Sequence, residues 1–195
     1  MQEPEGKEEM EIRILSRKEM GDIYKKHMTK DFPASELKPL EAMYHMLDKE
    51  KYLPLGLYDG AELIGYAYFA YAKEKTVALI DYLAICEVYR GRGIGNQLLQ
   101  GIREYLQDWY GIILEVENPD KAESEAERQA QEHRIAFYQR NNVALTDVTL
   151  TLFGVPFRMM YLEGFELKPE EVEAYLKEIY HMMFPEMIYK RVVKF

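Results

Sequence analysis

The spacing of apolar residues changes period several times along the chain, and each change marks a new element. Glu11 to Leu15 reads as a short strand. Ser16, with Glu19 three residues on, has the spacing of a capping box: the hydroxyl accepts from an early helical N–H while the glutamate reaches back. The helix it opens runs to about Thr29 with Met20, Ile23, Tyr24 and His27 on one face, and Asp31-Phe32-Pro33-Ala34-Ser35 breaks it. Leu40, Met43, Tyr44 and Leu47 then repeat at i, i+3, i+4 and i+7, a second helix. Three strands follow. Leu53–Tyr58 and Glu62–Ala72 flank the turn Asp59-Gly60 and read as a hairpin. After Lys73-Glu74-Lys75, taken as a turn, Thr76–Ile85 is β-branched and apolar along most of its length, as a strand buried on both faces should be.

From Arg92 to about Tyr110 the period becomes helical, with Leu98, Leu99, Ile102, Tyr105, Leu106 and Trp109 sharing a face. Gly111 stands where a left-handed cap would close that helix. Ile112–Val116 is the next strand, and Asn118-Pro119-Asp120 a loop. A polar stretch from Lys121 to Glu132 leads into a helix around Ile135, Phe137 and Tyr138, and reads as a solvated extension of it. Strands Ala144–Phe153 and Pro156–Leu162 meet near Gly154. A helix after Pro169 carries Val172, Leu176, Ile179 and Met183, and Met187–Phe195 reads as a last strand. The strand–helix–strand run over 76–116 implies one parallel pair, while the hairpins are antiparallel. The class expected is therefore α/β in the α+β sense: a mixed sheet with helices packed on it.

Composition narrows the function classes. With 48% hydrophobic and 30% charged residues among 195, one well-buried core is expected, and a single domain over 1–195. A net charge of −9 argues against nucleic-acid binding, which needs clustered Lys and Arg. It is compatible with a cationic partner such as an amine. No apolar run approaches the ~18 residues of a membrane span, and the acidic start Met1-Gln2-Glu3-Pro4-Glu5-Gly6 lacks the apolar core of a secretory signal, so a cytoplasmic protein is expected. The single cysteine, Cys86, rules out an intramolecular disulfide. His27, His45, His133 and His181 lack metal-ligand spacing, so no metal is expected.

Between the buried strand and the following helix, glycines alternate at Gly91, Gly93 and Gly95. Lacking side chains, they let the backbone approach a ligand closely and take positive φ. The helix start adds the positive end of its dipole, and Arg90 and Arg92 add full charges. A diphosphate is the natural occupant. Asn96 stands where the dinucleotide fingerprint G-x-G-x-x-G requires its third glycine, and Asn96-Gln97 replaces the Gly-Lys-Ser/Thr of a P-loop. Neither nucleotide pattern is met.

The run Leu83-Ala84-Ile85-Cys86-Glu87-Val88-Tyr89-Arg90-Gly91-Arg92-Gly93-Ile94-Gly95 resembles motif A of the GNAT N-acetyltransferase superfamily. Its signature Gln/Arg-x-x-Gly-x-Gly/Ala is met by Arg90, Gly93 and Gly95, and the likeness extends with gaps over roughly 62–162, leaving 163–195 as an extension. The resemblance implies a GNAT-like acyl-CoA N-acyltransferase fold, a mostly antiparallel sheet with its fourth and fifth strands parallel. It implies acetyl-CoA as co-substrate, the diphosphate on Arg90, Gly91, Arg92, Gly93, Ile94, Gly95 and Asn96, and the pantetheine arm on the backbone of Leu83 and Ile85. Glu87 departs from the proline of many members.

Aminolysis of a thioester needs a deprotonated amine, a stabilised oxyanion and a proton for the leaving thiolate. Arg134–Asn142 resembles the family's motif B helix, whose tyrosine lies beside the coenzyme sulfur, which implies Tyr138 as the acid. Asn142-Val143 replaces the usual Gly-Phe, and asparagine is the next most tolerant residue for a left-handed cap. For the base two carboxylates stand open: Glu115 in Leu114-Glu115-Val116, where some members keep a glutamate, and Asp81, which shares a strand face with Leu83 and Ile85 and interrupts an apolar run. Cys86, one step from the loop, is the candidate for a covalent route, although a lone cysteine behaves more often as a small buried hydrophobe. The resemblance implies an acceptor wall from the first two helices and the late hairpin, here Phe32, Tyr44, Met159 and Tyr161, although the helical stripe around Tyr44 reads more strongly as core packing. The function implied is transfer of acetyl from acetyl-CoA to a small-molecule or peptide amine in a ternary complex; the alternative is a non-catalytic acyl-CoA-binding or regulatory module. The C-terminal apolar stripe with Phe184, Ile188, Tyr189 and Val192 either covers the core or builds a homodimer contact.

Overall fold

Ser16 caps the first helix as its spacing requires. Its side chain accepts from the Glu19 N–H, and the Glu19 carboxylate accepts from the Ser16 N–H at 2.7 Å. These observations come from a computed structural model that describes residues 10–34, 36–72 and 76–195. The strands are β1 (Glu11–Ile14), β2 (Tyr52–Asp59), β3 (Glu62–Tyr71), β4 (Val77–Ile85), β5 (Gly111–Glu117), β6 (Val143–Leu152), β7 (Val155–Leu162) and β8 (Val193–Lys194). The helices are α1 (Arg17–Ile23), α2 (Thr29–Asp31), α3 (Leu40–Asp48), α4 (Ile94–Tyr105), α5 (Glu125–Arg140), α6 (Val172–Met183) and α7 (Glu186–Val192). The strands hydrogen-bond in the order β1-β2-β3-β4-β5-β7-β6-β8. β4 and β5 are parallel, whereas β1–β2, β5–β7, β6–β7 and β6–β8 are antiparallel.

Two compact units are distinguished, Met1–Tyr68 with Tyr82–Leu106, and Phe69–Asp81 with Gln107–Phe195. In the first, α4 lies against β1: a Cβ added at Gly101 would stand 2.7 Å from Ile12 Cγ1, so only a bare backbone permits that approach. Its core includes Met20, Met28, Met43, Leu55, Leu57, Tyr66 and Leu98, each almost fully buried. In the second, Ile112, Ile113, Met159, Met160, Leu176, Ile179 and Tyr180 are buried among β5, β7 and α6. The β6–β7 turn places both central residues, Phe153 (φ 51°) and Gly154 (φ 87°), in the left-handed region, as a hairpin turn matched to strand twist requires.

Several sequence expectations are corrected. The first helix is interrupted by a π-helical segment over Tyr24–Met28, which the apolar pattern does not reveal. The helix expected over 92–110 spans Ile94–Tyr105 and ends without a glycine. Gly111 opens β5, and its requirement is space: a Cβ there would meet Leu167 Cβ at 2.4 Å. The tail expected as a strand over 187–195 is mostly α7, opened by Pro185, with only Val193–Lys194 paired to β6. The polar stretch after Asp120 does become the solvated start of α5, where Ser124 caps and Arg128 bridges Glu125 and Glu132. The turn expected at 73–75 lies outside the described residues.

Candidate active site

The glycine loop belongs to the first unit. After β4, one 3-10 turn (Glu87–Tyr89) reverses the chain, held by the Tyr89 N–H donating to the Cys86 carbonyl at 2.9 Å. Glu87 therefore does not leave this turn slack. Gly91 (φ 76°) and Gly93 (φ 77°) both take left-handed conformations, and a Cβ added at either would meet nothing within 4 Å. Space, then, is open there, and backbone conformation is the reason for glycine. Gly93 is the N-cap of α4; no side chain caps that helix and no acidic residue lies in its first turn. The first-turn N–H groups thus meet an open glycine surface at the positive end of the helix dipole, an arrangement suited to an anion. Gly95 and Asn96 lie within the first turn of α4, and Arg92 is exposed, its guanidinium 5.7 Å from the centre of the Tyr89 ring.

Arg90 is turned another way. Its Nε donates to the Ile85 carbonyl at 3.0 Å, and a terminal nitrogen is ion-paired with Asp31. Asp31 is buried, its side chain only 7% exposed, and also accepts from the Tyr66 hydroxyl at 2.7 Å. In the sequence Asp31 falls in the break after the first helix and Tyr66 within the strand Glu62–Ala72, and no spacing links either to Arg90. Beside this cluster Cys86 is buried, and burial first, then the Asp31 charge, pushes its thiol up to about 11. A thiol held protonated is a poor nucleophile.

The other candidates stand on β5, α5 and the second half of β4. The parallel ladder runs from Val77–Gly111 to Ile80–Leu114. Asp81 and Glu115 each follow the last pair of that ladder by one residue, and each is partly exposed. Leu83 and Ile85 follow on β4 past that last pair, both partly exposed. Tyr138 lies on α5, which packs against β5 and β6. Tyr138 is partly exposed; burial raises its pKa and the Arg134 charge opposes that rise. Asn142 has φ 56° just past α5, so the left-handed turn survives the loss of glycine.

One acceptor-wall expectation changes, and Tyr44 packs as its helical stripe suggests. Met159 is fully buried opposite Glu115 and lines no open surface. Tyr44 packs α3 on α1, its hydroxyl 3.3 Å from the Arg17 carbonyl and its ring 3.9 Å from the Arg17 guanidinium. Phe32 stays partly exposed, edge-on to Tyr82 at 4.9 Å, and Tyr161 is partly exposed on β7. Among the described residues no cluster of three or more His, Cys, Asp or Glu is placed to hold a metal, and no helix is long and apolar enough to cross a membrane.

The fold is a mixed sheet with one parallel pair, in which a left-handed glycine turn leads from the end of that pair's first strand into α4. The acetyltransferase (GNAT) family model matches residues 17–142, and the chain belongs to that family. Solved structures agree in fold. A GNAT-family protein from Bacteroides thetaiotaomicron superposes with a TM-score of 0.73 at 20% identity, covering 89% of this chain and 97% of that one. The ribosomal-protein-S18-alanine N-acetyltransferase from Escherichia coli gives 0.57 at 18% identity over 79% and 93% of the two chains. A mutant spermidine N-acetyltransferase from Vibrio cholerae gives 0.57 at 14% identity over 78% and 92%. No curated protein matches the chain by sequence.

Proposed function

We propose that this protein is an N-acetyltransferase that moves the acetyl group of acetyl-CoA directly to a primary amine in a ternary complex. The observation that carries the reading is the α4 N-terminus, uncapped by any side chain and fronted by Gly91 and Gly93 with open space where side chains would be. In this reading the amides from Gly91 to Gly95 and the Arg92 guanidinium receive the diphosphate, with Asn96 beside them, its N–H donating to the Gly93 carbonyl at 3.1 Å. The edge of β4 at Leu83 and Ile85, past the last β4–β5 pair, receives the pantetheine arm through its main chain. Asp81 and Glu115 take the proton of the acceptor ammonium, directly or through water, the neutral amine then attacks the thioester carbonyl, and Tyr138 donates to the departing thiolate. The protonated thiol of Cys86 favours direct transfer over an acyl-enzyme.

Similar folds include enzymes named for spermidine and for an alanine of ribosomal protein S18, so the acceptor proposed is a small polyamine or a peptide amine. The chain's net charge of −9 suits a cationic acceptor. We read both compact units as parts of one catalytic domain, since β3 and β4 each contribute to both. The cytoplasm is the compartment proposed, in keeping with an unpaired buried cysteine. The test is thiol release from acetyl-CoA across a panel of polyamines, small amines and peptide termini. Thiol release with any amine, abolished in Tyr138→Phe, supports the enzyme. Coenzyme binding without turnover on any amine would instead make the chain a binding module.

A further inference from the structure

Asp31 carries its charge in a nearly closed environment, with its side chain 7% exposed. Burying a lone carboxylate costs several kcal/mol, and the cost is offset only where charge and hydrogen bonds are returned to it. Here the return comes from two residues distant in sequence: the Arg90 guanidinium, which ion-pairs with one oxygen, and the Tyr66 hydroxyl, which donates to the other at 2.7 Å. Arg90 is fixed a second time by its Nε, which donates to the Ile85 carbonyl at 3.0 Å. The first residue of the glycine loop is thereby tied to the end of α2, to the middle of β3 and to the last residue of β4. Withdrawing Arg90 to grip a phosphate would leave Asp31 buried with only a phenol for company. The pair therefore resists being broken by a ligand.

We infer that Asp31, with Tyr66, is a positioning residue for the donor loop: it holds the Arg90 guanidinium back against β4, so that the loop's amides and Arg92, rather than Arg90, face the coenzyme diphosphate. This rests on the acetyl-CoA reading above. Its chemistry is that of a fixed anchor. The charge of Arg90 is spent internally on Asp31, and the loop's left-handed glycines are presented without having to be ordered by the ligand. Preorganisation of this kind appears in donor affinity and not in the chemical step.

The experiment compares wild type with Asp31→Asn, which keeps the shape and an acceptor for Tyr66 but removes the charge, and with Tyr66→Phe, which leaves the ion pair intact. Calorimetric affinity for coenzyme A is measured beside steady-state kinetics with acetyl-CoA and with S-acetylpantetheine, which lacks the diphosphate. Asp31→Asn is expected to raise Kd and KM for the full coenzyme by roughly tenfold or more, with kcat nearly unchanged and the KM for S-acetylpantetheine unmoved. Tyr66→Phe is expected to shift the same constants by less, and decides the matter alone if Asp31→Asn does not fold. A purely structural role would raise the KM for both donors alike and overturns the proposal. So would tighter coenzyme binding in Asp31→Asn, which would mean that Asp31 restrains a phosphate ligand. Wild type that binds no coenzyme A would sink the acetyl-CoA reading itself; wild type that binds it, with variants binding equally well, would sink only this inference.

Discussion

Arg134 donates to the Glu117 carboxylate at 3.1 Å, tying α5 to the end of β5 one helical turn before Tyr138. With the two side chains 56% and 28% exposed, the pair contributes at most about 1 kcal/mol to stability. Its larger consequence is electrostatic. Burial raises the Tyr138 pKa and the Arg134 charge opposes that rise. A phenol with a raised pKa keeps its proton to higher pH, so any alkaline limb of kcat from Tyr138 lies above the ordinary ~10 of tyrosine. Arg134→Gln removes the opposing charge and is expected to move that limb higher still. Tyr138→Phe is expected to lower kcat by roughly a hundredfold or more while coenzyme affinity holds. Unaltered kcat in that variant would remove Tyr138 from the acid role.

Cys86 provides a second test. Its folded pKa of about 11 stands above the ~8.5 of an exposed thiol. The stability this contributes is fully present below the unfolded value and is lost as pH rises toward about 11. At pH 8 the native thiol is expected to resist iodoacetamide, whereas the denatured chain alkylates readily. Cys86→Ala leaves a small cavity costing about 1 kcal/mol, yet is expected to keep its turnover. A folded Cys86→Ala protein without turnover would establish the covalent route.

Glycines in this chain serve two purposes that substitution separates. Gly93→Ala has room for its methyl but demands φ 77° of an alanine, at about 1–2 kcal/mol, and projects the methyl from the loop surface. Its expected signature is a raised KM for acetyl-CoA. Gly111→Ala instead drives a methyl into Leu167 at 2.4 Å within the second unit, at about 1–3 kcal/mol, with coenzyme affinity preserved. Both variants are expected to melt lower than wild type, and coenzyme titrations separate them if the loop is the donor site.

Local signals carried much of this protein into view. The Ser16–Glu19 box and the strand–glycine turn–helix passage each lie within a few residues, so propensity and spacing suffice to find them. Gly111 shows where that method stops. A glycine after a helical stripe looks the same whether it is needed for φ or for the approach of Leu167, which lies 56 residues away. The same limit hid Asp31, whose partners Tyr66 and Arg90 stand 35 and 59 residues on. The π-helical segment over 24–28 inserts without a compositional mark, so the helix read as continuous.

Asn142 ends α5 in the left-handed region at φ 56°, with its N–H donating to the Gln139 carbonyl at 3.2 Å and its own carbonyl accepting from Glu163 at 2.9 Å. Most side chains at that φ cost about 1–2 kcal/mol, asparagine less and glycine least. Asn142→Ala is therefore expected to destabilise by about 1 kcal/mol, roughly 2–4 °C in Tm for a chain of this size, while Asn142→Gly holds or gains stability. The helix that this turn closes carries Tyr138 one turn upstream. If the turn matters for placing the phenol, Asn142→Ala also loses kcat and Asn142→Gly does not. Equal melting temperatures for the two variants would show that the left-handed turn is not what asparagine is needed for.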